Sequence, residues 1–339
     1  MDKRIILAVA GSGKTTSIIK QINENDRALI IAFTDNNYGL LKMKLSEKFK
    51  GIPKNISVKS YFSFLYSFCF RPFEGLLRSN GIIFDYDNIN YKKSGSLLRY
   101  MNKNRYLYSN YLAEYILINH IEDVKNRIKK YFDYLYIDEI QDFASYDFEL
   151  IKRLAQIDMN ILYVGDFYQH TFSTSRAGSK NSTLYDDYRR YLSNFEEILT
   201  IDTELLKKSY RCKKNVCDFV TSKLGIQIIP YYENYDVNVK LISSPEGIDL
   251  IMRDKKIMKL FYNNHHKYKC RSDNWGNCKG LSFVEVCVIL TSEAFKCLKK
   301  GTFNSLKSGT RNRFYVACTR SSGNLYFIEG KKVSHYKVL

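Results

Sequence analysis

One octapeptide near the start constrains this chain more than any other feature: Ala8-Val9-Ala10-Gly11-Ser12-Gly13-Lys14-Thr15. It follows an apolar run, Arg4–Ala10, and leads into a helical pattern through Ile18, Ile19 and Ile22. A buried strand, a glycine loop and a helix start in that order form a cradle for phosphate. Gly11 and Gly13 let backbone N–H groups around Ser12 turn inward. Lys14 reaches toward β- and γ-phosphates, the Thr15 hydroxyl suits Mg²⁺, and Thr16 completes the expected nucleotide-binding set. The helix that follows turns its positive dipole end toward the same anion.

Further apolar runs recur at Arg27–Phe33, Phe132–Asp138 and Asn160–Gly165, the last followed by Asp166. They are continuous rather than alternating, as in strands buried on both faces. Strands alternating with helices, with acids at their carboxyl ends, predict an α/β fold with parallel sheets. Glu285–Leu290 and Asn324–Glu329 read as strands of a second, smaller α/β domain, with a helix over Phe314–Thr319 between them. We expect a first domain over residues 1–200 and a second over 201–339. From about 66 to 130 the strand pattern disappears, and that stretch is expected to be a short helical insertion in the first domain.

The chain has 339 residues, with 53 Lys and Arg against 35 Asp and Glu, a net charge of +18. Such an excess repels itself and is usually used on a polyanion, nucleic acid above all. No basic amphipathic helix suggests a membrane surface instead, and no run approaches the ~18–20 apolar residues of a membrane span. The opening apolar run is also too short for a secretory signal core. The cytoplasm, of a bacterium or a phage-infected host cell, is the expected location, with no membrane partner. Eight cysteines are scattered without a C-x-x-C pair, so reduced, packed thiols are expected. His265, His266, Cys270 and Cys278 match no common zinc spacing.

The second chemical signal is Tyr136-Ile137-Asp138-Glu139-Ile140-Gln141-Asp142. Two acids at the end of a buried strand suit a metal and a water: Asp138 to hold Mg²⁺, Glu139 to orient and deprotonate the water. Other boxes follow in order: Phe33-Thr34-Asp35, Ser60-Tyr61-Phe62-Ser63-Phe64, Val164-Gly165-Asp166-Phe167-Tyr168-Gln169, Ser209-Tyr210-Arg211-Cys212, Lys279-Gly280-Leu281-Ser282-Phe283, and Tyr315-Val316-Ala317-Cys318-Thr319-Arg320. In these the chain resembles the superfamily 1 helicases of the UvrD/Rep type, whose boxes read D-E-x-Q-D, F-T-N, T-x-H-S-F, V-G-D-x-x-Q, N-Y-R-S, K-G-L-E-F and Y-V-A-x-T-R.

The resemblance implies two RecA-like P-loop NTPase domains with ATP and Mg²⁺ in the cleft between them, and a motor on single-stranded DNA with 3′ to 5′ polarity. It assigns catalytic roles to Glu139, to Gln169 as γ-phosphate sensor, and to Arg211 and Arg320 as arginine fingers. Tyr210 would stack on the nucleotide base. Phe33, Thr34, Ser60 and Phe64 would meet the strand. Phe172 falls where the family has a Tyr, and Thr174 where it has a base-stacking aromatic. Trp275, the only Trp, stands in place of the family's T-x-H segment and reads equally as a base platform or as core.

Ser282 replaces the family's Glu, and only a short span separates Arg211 from Lys279, where the family has a large insertion. Seven residues precede Ala8, leaving no upstream glutamine segment for adenine, so nucleotide selectivity is left open. Residues 92–130 carry nine Lys/Arg against three acids, interleaved with Tyr91, Tyr100, Tyr106, Tyr108, Tyr111 and Tyr115. That composition suits a single-strand groove and equally a solvated helix face with Tyr packed beneath. The leading expectation is a minimal translocase or helicase on single-stranded DNA, with or without a duplex junction. The alternative is a nucleotide-gated switch that regulates a partner such as a nuclease and unwinds little.

Overall fold

The computed structural model describes residues 1–74, 79–84, 97–171, 180–233, 237–303 and 305–337. They form two compact units. The first takes the described residues of Met1–Leu7, Lys14–Gly165 and 180–202; the second takes Ala8–Gly13, 166–171 and those from Thr203 onward.

In chain order the strands are β1 Lys3–Leu7, β2 Ala28–Ala32, β3 Ile56–Ser60, β4 Gly81–Ile83, β5 Tyr106–Tyr108, β6 Tyr134–Asp138, β7 Asn160–Gly165, β8 Thr200–Asp202, β9 Lys208–Ser209, β10 Ile229–Pro230, β11 Val239–Leu241, β12 Met258–Phe261, β13 Ser272–Asn274, β14 Val286–Leu290 and β15 Leu325–Glu329.

The first unit is built on a six-stranded sheet in the order β3-β2-β6-β7-β1-β8. Every pairing in it is parallel. Parallel strands need crossovers, and helices such as Lys14–Gln21 and Asp35–Phe49 supply them. All five residues of β2 are buried, as the unbroken apolar run predicts. The register aligns the carboxyl ends: Leu7 pairs with Gly165, Val164 with Asp138, Asp138 with Ala32, and Ala32 with Ser60. The phosphate loop, the acidic box and the Phe33 and Ser60 boxes therefore leave the sheet along one edge, where open α/β sheets place their ligands.

The stretch from 66 to 130 is not purely helical. Helices span Ser109–Asn119 and Ile121–Tyr131, but β4 and β5, ahead of them in the chain, form a small parallel pair. Strands of three residues are too short to register as periodicity. Its aromatics divide as well. Tyr100 and Tyr111 are buried, and Arg99 lies over the Tyr111 ring while its Nη2 pairs with the buried Glu114 at 2.9 Å. For those residues the packing alternative is the one observed; Tyr106 stays exposed, and Tyr91 lies outside the described residues.

The second unit carries a five-stranded parallel sheet, β11-β15-β14-β12-β13, beside the β9-β10 pair. The helix read over Phe314–Thr319 is longer, Ser308–Cys318. Its core joins Phe219, Phe303, Phe314, Phe327 and Trp275. Trp275 is fully buried; its indole N–H donates to the Leu260 carbonyl at 2.9 Å, and Tyr262 and Phe314 flank it at 5.3 Å. A ring so enclosed presents no face to a base, which corrects its reading as a strand contact. Among the described residues no helix is long and apolar enough to cross a membrane, and no group of three or more His, Cys, Asp or Glu is placed to hold a metal.

Trp275→Ala should therefore cost ~3–5 kcal/mol, the price of emptying an aromatic core position. Urea unfolding followed by circular dichroism measures it. An unchanged midpoint would return Trp275 to the surface.

Candidate functional site

The phosphate loop leaves β1 after Leu7. Gly11 and Gly13 sit at φ of +74° and +83°, which residues with a Cβ adopt only with strain. The Ser12 hydroxyl oxygen is buried and has no hydrogen-bond partner among the described residues. An orphaned polar atom in such a loop is the mark of a site built for a polar ligand. Thr16 is occupied otherwise: its hydroxyl accepts from Lys44 Nζ at 2.7 Å.

In the first unit, β6 delivers Asp138 fully buried. Its Oδ2 accepts from the Thr15 hydroxyl at 2.8 Å, and its Oδ1 from the Glu139 N–H at 2.9 Å. Burial, then the adjacent Glu139 charge, pushes the Asp138 carboxyl up; Lys14 and the Thr15 bond pull it back. A cation beside it would be strongly held, and a carboxylate plus a hydroxyl are hard oxygen donors of the kind Mg²⁺ takes when phosphate and water complete its shell. Thr15 and Asp138 thus fit the ion the sequence implies.

Glu139 has φ +57°, a left-handed conformation rare for a residue with a side chain. The turn aims its carboxylate at Lys14: Oε1 lies 3.8 Å from Lys14 Nζ, both side chains nearly buried. The Gln141 amide donates to the other oxygen, Oε2, fixing the group from behind. Gly165 makes this possible. A Cβ there would fall onto Gln141 Oε1 and Ile140 Cγ2, so only glycine lets β7 lie against the turn.

The second unit gathers another set. The Ala10 N–H donates to the Tyr315 hydroxyl oxygen at 2.9 Å; that hydroxyl donates to Asp166 Oδ2 at 3.0 Å; Gln169 Nε2 donates to the same oxygen at 2.8 Å. All three side chains are buried. Gln169 and Tyr315 therefore share the Asp166 carboxylate, and the loop N–H of Ala10 joins them through the Tyr315 hydroxyl. Sequence reasoning gave Tyr315 and Asp166 no role, although both stand inside recognised boxes.

Arg211 lies beside the loop tip: a Cβ on Gly11 would come within 2.7 Å of Arg211 Cβ. Its Nη1 donates to the Thr319 carbonyl at 3.2 Å. Burial, and then the charge of Arg320, push its pKa down to about 10. Arg320 is itself buried and donates to the carbonyls of Val316 and Leu281 and to the Thr319 hydroxyl. Neither guanidinium has a carboxylate partner among the described residues. A buried and a half-buried cation without a carboxylate partner among the described residues favour an anion. Tyr210 is half exposed, its N–H on the Gly11 carbonyl at 2.9 Å and its ring 4.3 Å from Tyr231.

The residues expected to meet a strand are not all together. Phe33, Thr34 and Ser60 line one cavity of the first unit. Phe64 does not: it is fully buried and stacked on Phe68 at 5.6 Å, because the π-helix Phe64–Phe70 turns it inward. Phe172 and Thr174 lie outside the described residues.

The family described as the viral superfamily 1 RNA helicase core domain matches residues 114–329, more than half of the chain. The chain belongs to this superfamily 1 helicase family. The ATP-dependent DNA helicase PcrA of Leuconostoc citreum is 30% identical over 97 residues, 28% of this chain and 12% of that protein. Among solved structures, the arterivirus nonstructural protein 10 helicase aligns at TM-score 0.51 with 14% identity, covering 99% of this chain and 62% of its own. The same arterivirus helicase in complex with DNA aligns at TM-score 0.50 with 14% identity, covering 97% and 60%. The chain thus spans about three fifths of these solved helicases, and the likeness to them is one of fold.

Tyr315→Phe keeps the ring and removes the hydroxyl that ties Ala10 to Asp166. Each buried partner left unpaired costs ~1–3 kcal/mol. Hydrogen exchange at residues 8–13 should quicken by at least an order of magnitude. Unchanged protection of the Ala10 amide would contradict the relay.

Proposed function

We propose that this chain is an ATP-hydrolysing motor of UvrD/Rep type that moves along a single nucleic-acid strand with 3′ to 5′ polarity. The observation that carries the reading is the arrangement of Lys14, Thr15, Asp138 and Glu139 in one unit, with Glu139 held by Gln141. The loop N–H groups and Lys14 bind the β- and γ-phosphates. Thr15 and Asp138 hold Mg²⁺, which when bound neutralises charge developing on the phosphate oxygens. Glu139 positions the attacking water and takes its proton. Its restrained carboxylate has no reorganisation left to perform, which is how positioned groups lower a barrier.

In the second unit, Arg211 and Arg320 are the groups we assign to the γ-phosphate. Their charge, buried at Arg320 and half-buried at Arg211 and without a carboxylate partner among the described residues, supports that role, since an anion there relieves the repulsion between them. Gln169 is assigned to sensing the same phosphate, and the Asp166–Tyr315 relay would pass its position to the loop amide of Ala10. Tyr210, exposed beside the loop tip, is the residue we assign to the nucleotide base. The net charge of +18 supports a polyanionic track. We favour DNA, on the stretch shared with PcrA.

Two substitutions separate binding from chemistry. Glu139→Gln should slow hydrolysis about 100- to 10,000-fold while leaving nucleotide affinity within a few fold, because only the base is lost. Lys14→Ala should weaken nucleotide binding itself. Equilibrium binding of a fluorescent ATP analogue beside phosphate-release kinetics tests both, and a Glu139→Gln variant hydrolysing at the wild-type rate would remove the Asp138-Glu139 assignment.

A further inference from the structure

Three half-exposed tyrosines adjoin in the second unit: Tyr210, Tyr231 and Tyr232, at 52%, 49% and 44% exposure. A single ring left in water is ordinary, but a row of adjoining ones is the kind of surface a ligand covers. The backbone builds this row. Tyr210 directly follows β9 and Tyr231 directly follows β10, and these strands pair in parallel for two residues only, with Ser209 opposite Pro230. A two-stranded pair that short is marginal by itself. What it does is positional: the next residue on each strand falls beside the other. The Tyr231 N–H donates to the Ser209 carbonyl at 2.9 Å, and the Tyr210 N–H to the Gly11 carbonyl at 2.9 Å. The row therefore begins at the phosphate loop, whose Gly11 belongs to the same unit.

The rings leave one face open. Tyr231 lies 4.3 Å from Tyr210, centroid to centroid, with 35° between the planes. Rings that close and that little tilted meet face against face, not edge on. Tyr231 thus covers one face of Tyr210, and the exposure that Tyr210 keeps belongs to the other. Tyr231 is braced in turn. Tyr232 meets it edge-on at 5.0 Å and 82°, and the Lys213 ammonium lies 4.7 Å over the Tyr232 ring. Without that backing, Tyr210 would be a surface side chain free to change rotamer, and a base stacking on it would have to order it first.

We infer that Tyr231 is a positioning residue for the nucleotide base. It is the back ring of a two-ring platform: it holds the Tyr210 ring in one orientation, leaves the free face to the base, and does not itself touch the base. The inference rests on the assignment of Tyr210 to the base and adds the group that makes that ring a fixed surface.

Isothermal titration calorimetry on the full chain, with Mg²⁺, measures affinity for a β,γ-imido analogue of ATP and for inorganic tripolyphosphate, which carries phosphates without a base. Tyr231→Ala should bind the analogue about 2- to 12-fold more weakly, the range for one aromatic pair. Its affinity for tripolyphosphate should match that of wild type, because the phosphate loop is untouched. Tyr231→Phe, which keeps the ring, should restore affinity for the analogue. Added to Tyr210→Ala, Tyr231→Ala should cost nothing more, as two changes to one contact do. Wild-type affinity of Tyr231→Ala for the analogue would overturn the inference. Equal losses for the analogue and for tripolyphosphate would overturn it by making Tyr231 a support of the loop. Further loss in the double variant would overturn it by putting Tyr231 itself on the ligand. A Tyr210→Ala variant that binds the analogue as tightly as wild type would remove the base assignment beneath it, and with it the inference, while leaving the phosphate and Mg²⁺ assignments in place.

Discussion

The site depends on one buried carboxylate. Asp138 ends a central strand of the first unit, away from water, and a charge there survives only if neighbours pay for its desolvation. Two hydrogen bonds do part of that, from the Thr15 hydroxyl and the Glu139 N–H. Glu139, which gives the second, sits in a left-handed turn with its side chain beside Lys14. The turn in turn demands a glycine at position 165 on the next strand. Strain at Glu139, the bare Gly165 and the Thr15 bond are consequences of a single requirement: a buried acid poised where a dication would complete its neutralisation.

The second unit repeats the logic with Asp166. That carboxylate is also buried, and also bonded by the groups whose positions matter, Tyr315, Gln169 and the Tyr168 N–H. The opposite sign accumulates at Arg211 and Arg320, which among the described residues bond only to neutral oxygens of their own unit. One buried and one half-buried guanidinium without a counter-charge among the described residues carry a standing cost, and an incoming anion is what removes it.

Much of this chemistry is legible in the sequence because it is local. The loop Ala8–Thr15 and the box Asp138–Asp142 are contiguous, and spacing alone fixes which atoms meet. The buried parallel strands are legible for a similar reason, since an unbroken apolar run such as Ala28–Ala32 has few alternatives. What escapes is set by distant packing. Whether Trp275 faces a base or a core depends on Leu260, Tyr262 and Phe314, which no local pattern connects to it. Phe64 reads as part of a strand-binding box, yet the π-helical turn after it decides its direction. Tyr231 gains its place from a two-residue strand below the reach of periodicity, and Tyr315 gains its role from partners at positions 10 and 166. Similarity to known helicases narrows the family, while the branch and the track remain matters of chemistry.

The claim at the centre is that nucleotide hydrolysis here serves movement on a strand. Steady-state ATP hydrolysis by the wild-type chain, with Mg²⁺, measured as single-stranded DNA is added, addresses it most directly. The account predicts a low basal rate that rises at least several-fold and saturates with strand concentration. Hydrolysis that stays flat across strand concentrations at which binding is complete would contradict it, and would describe a nucleotide-gated switch rather than a motor.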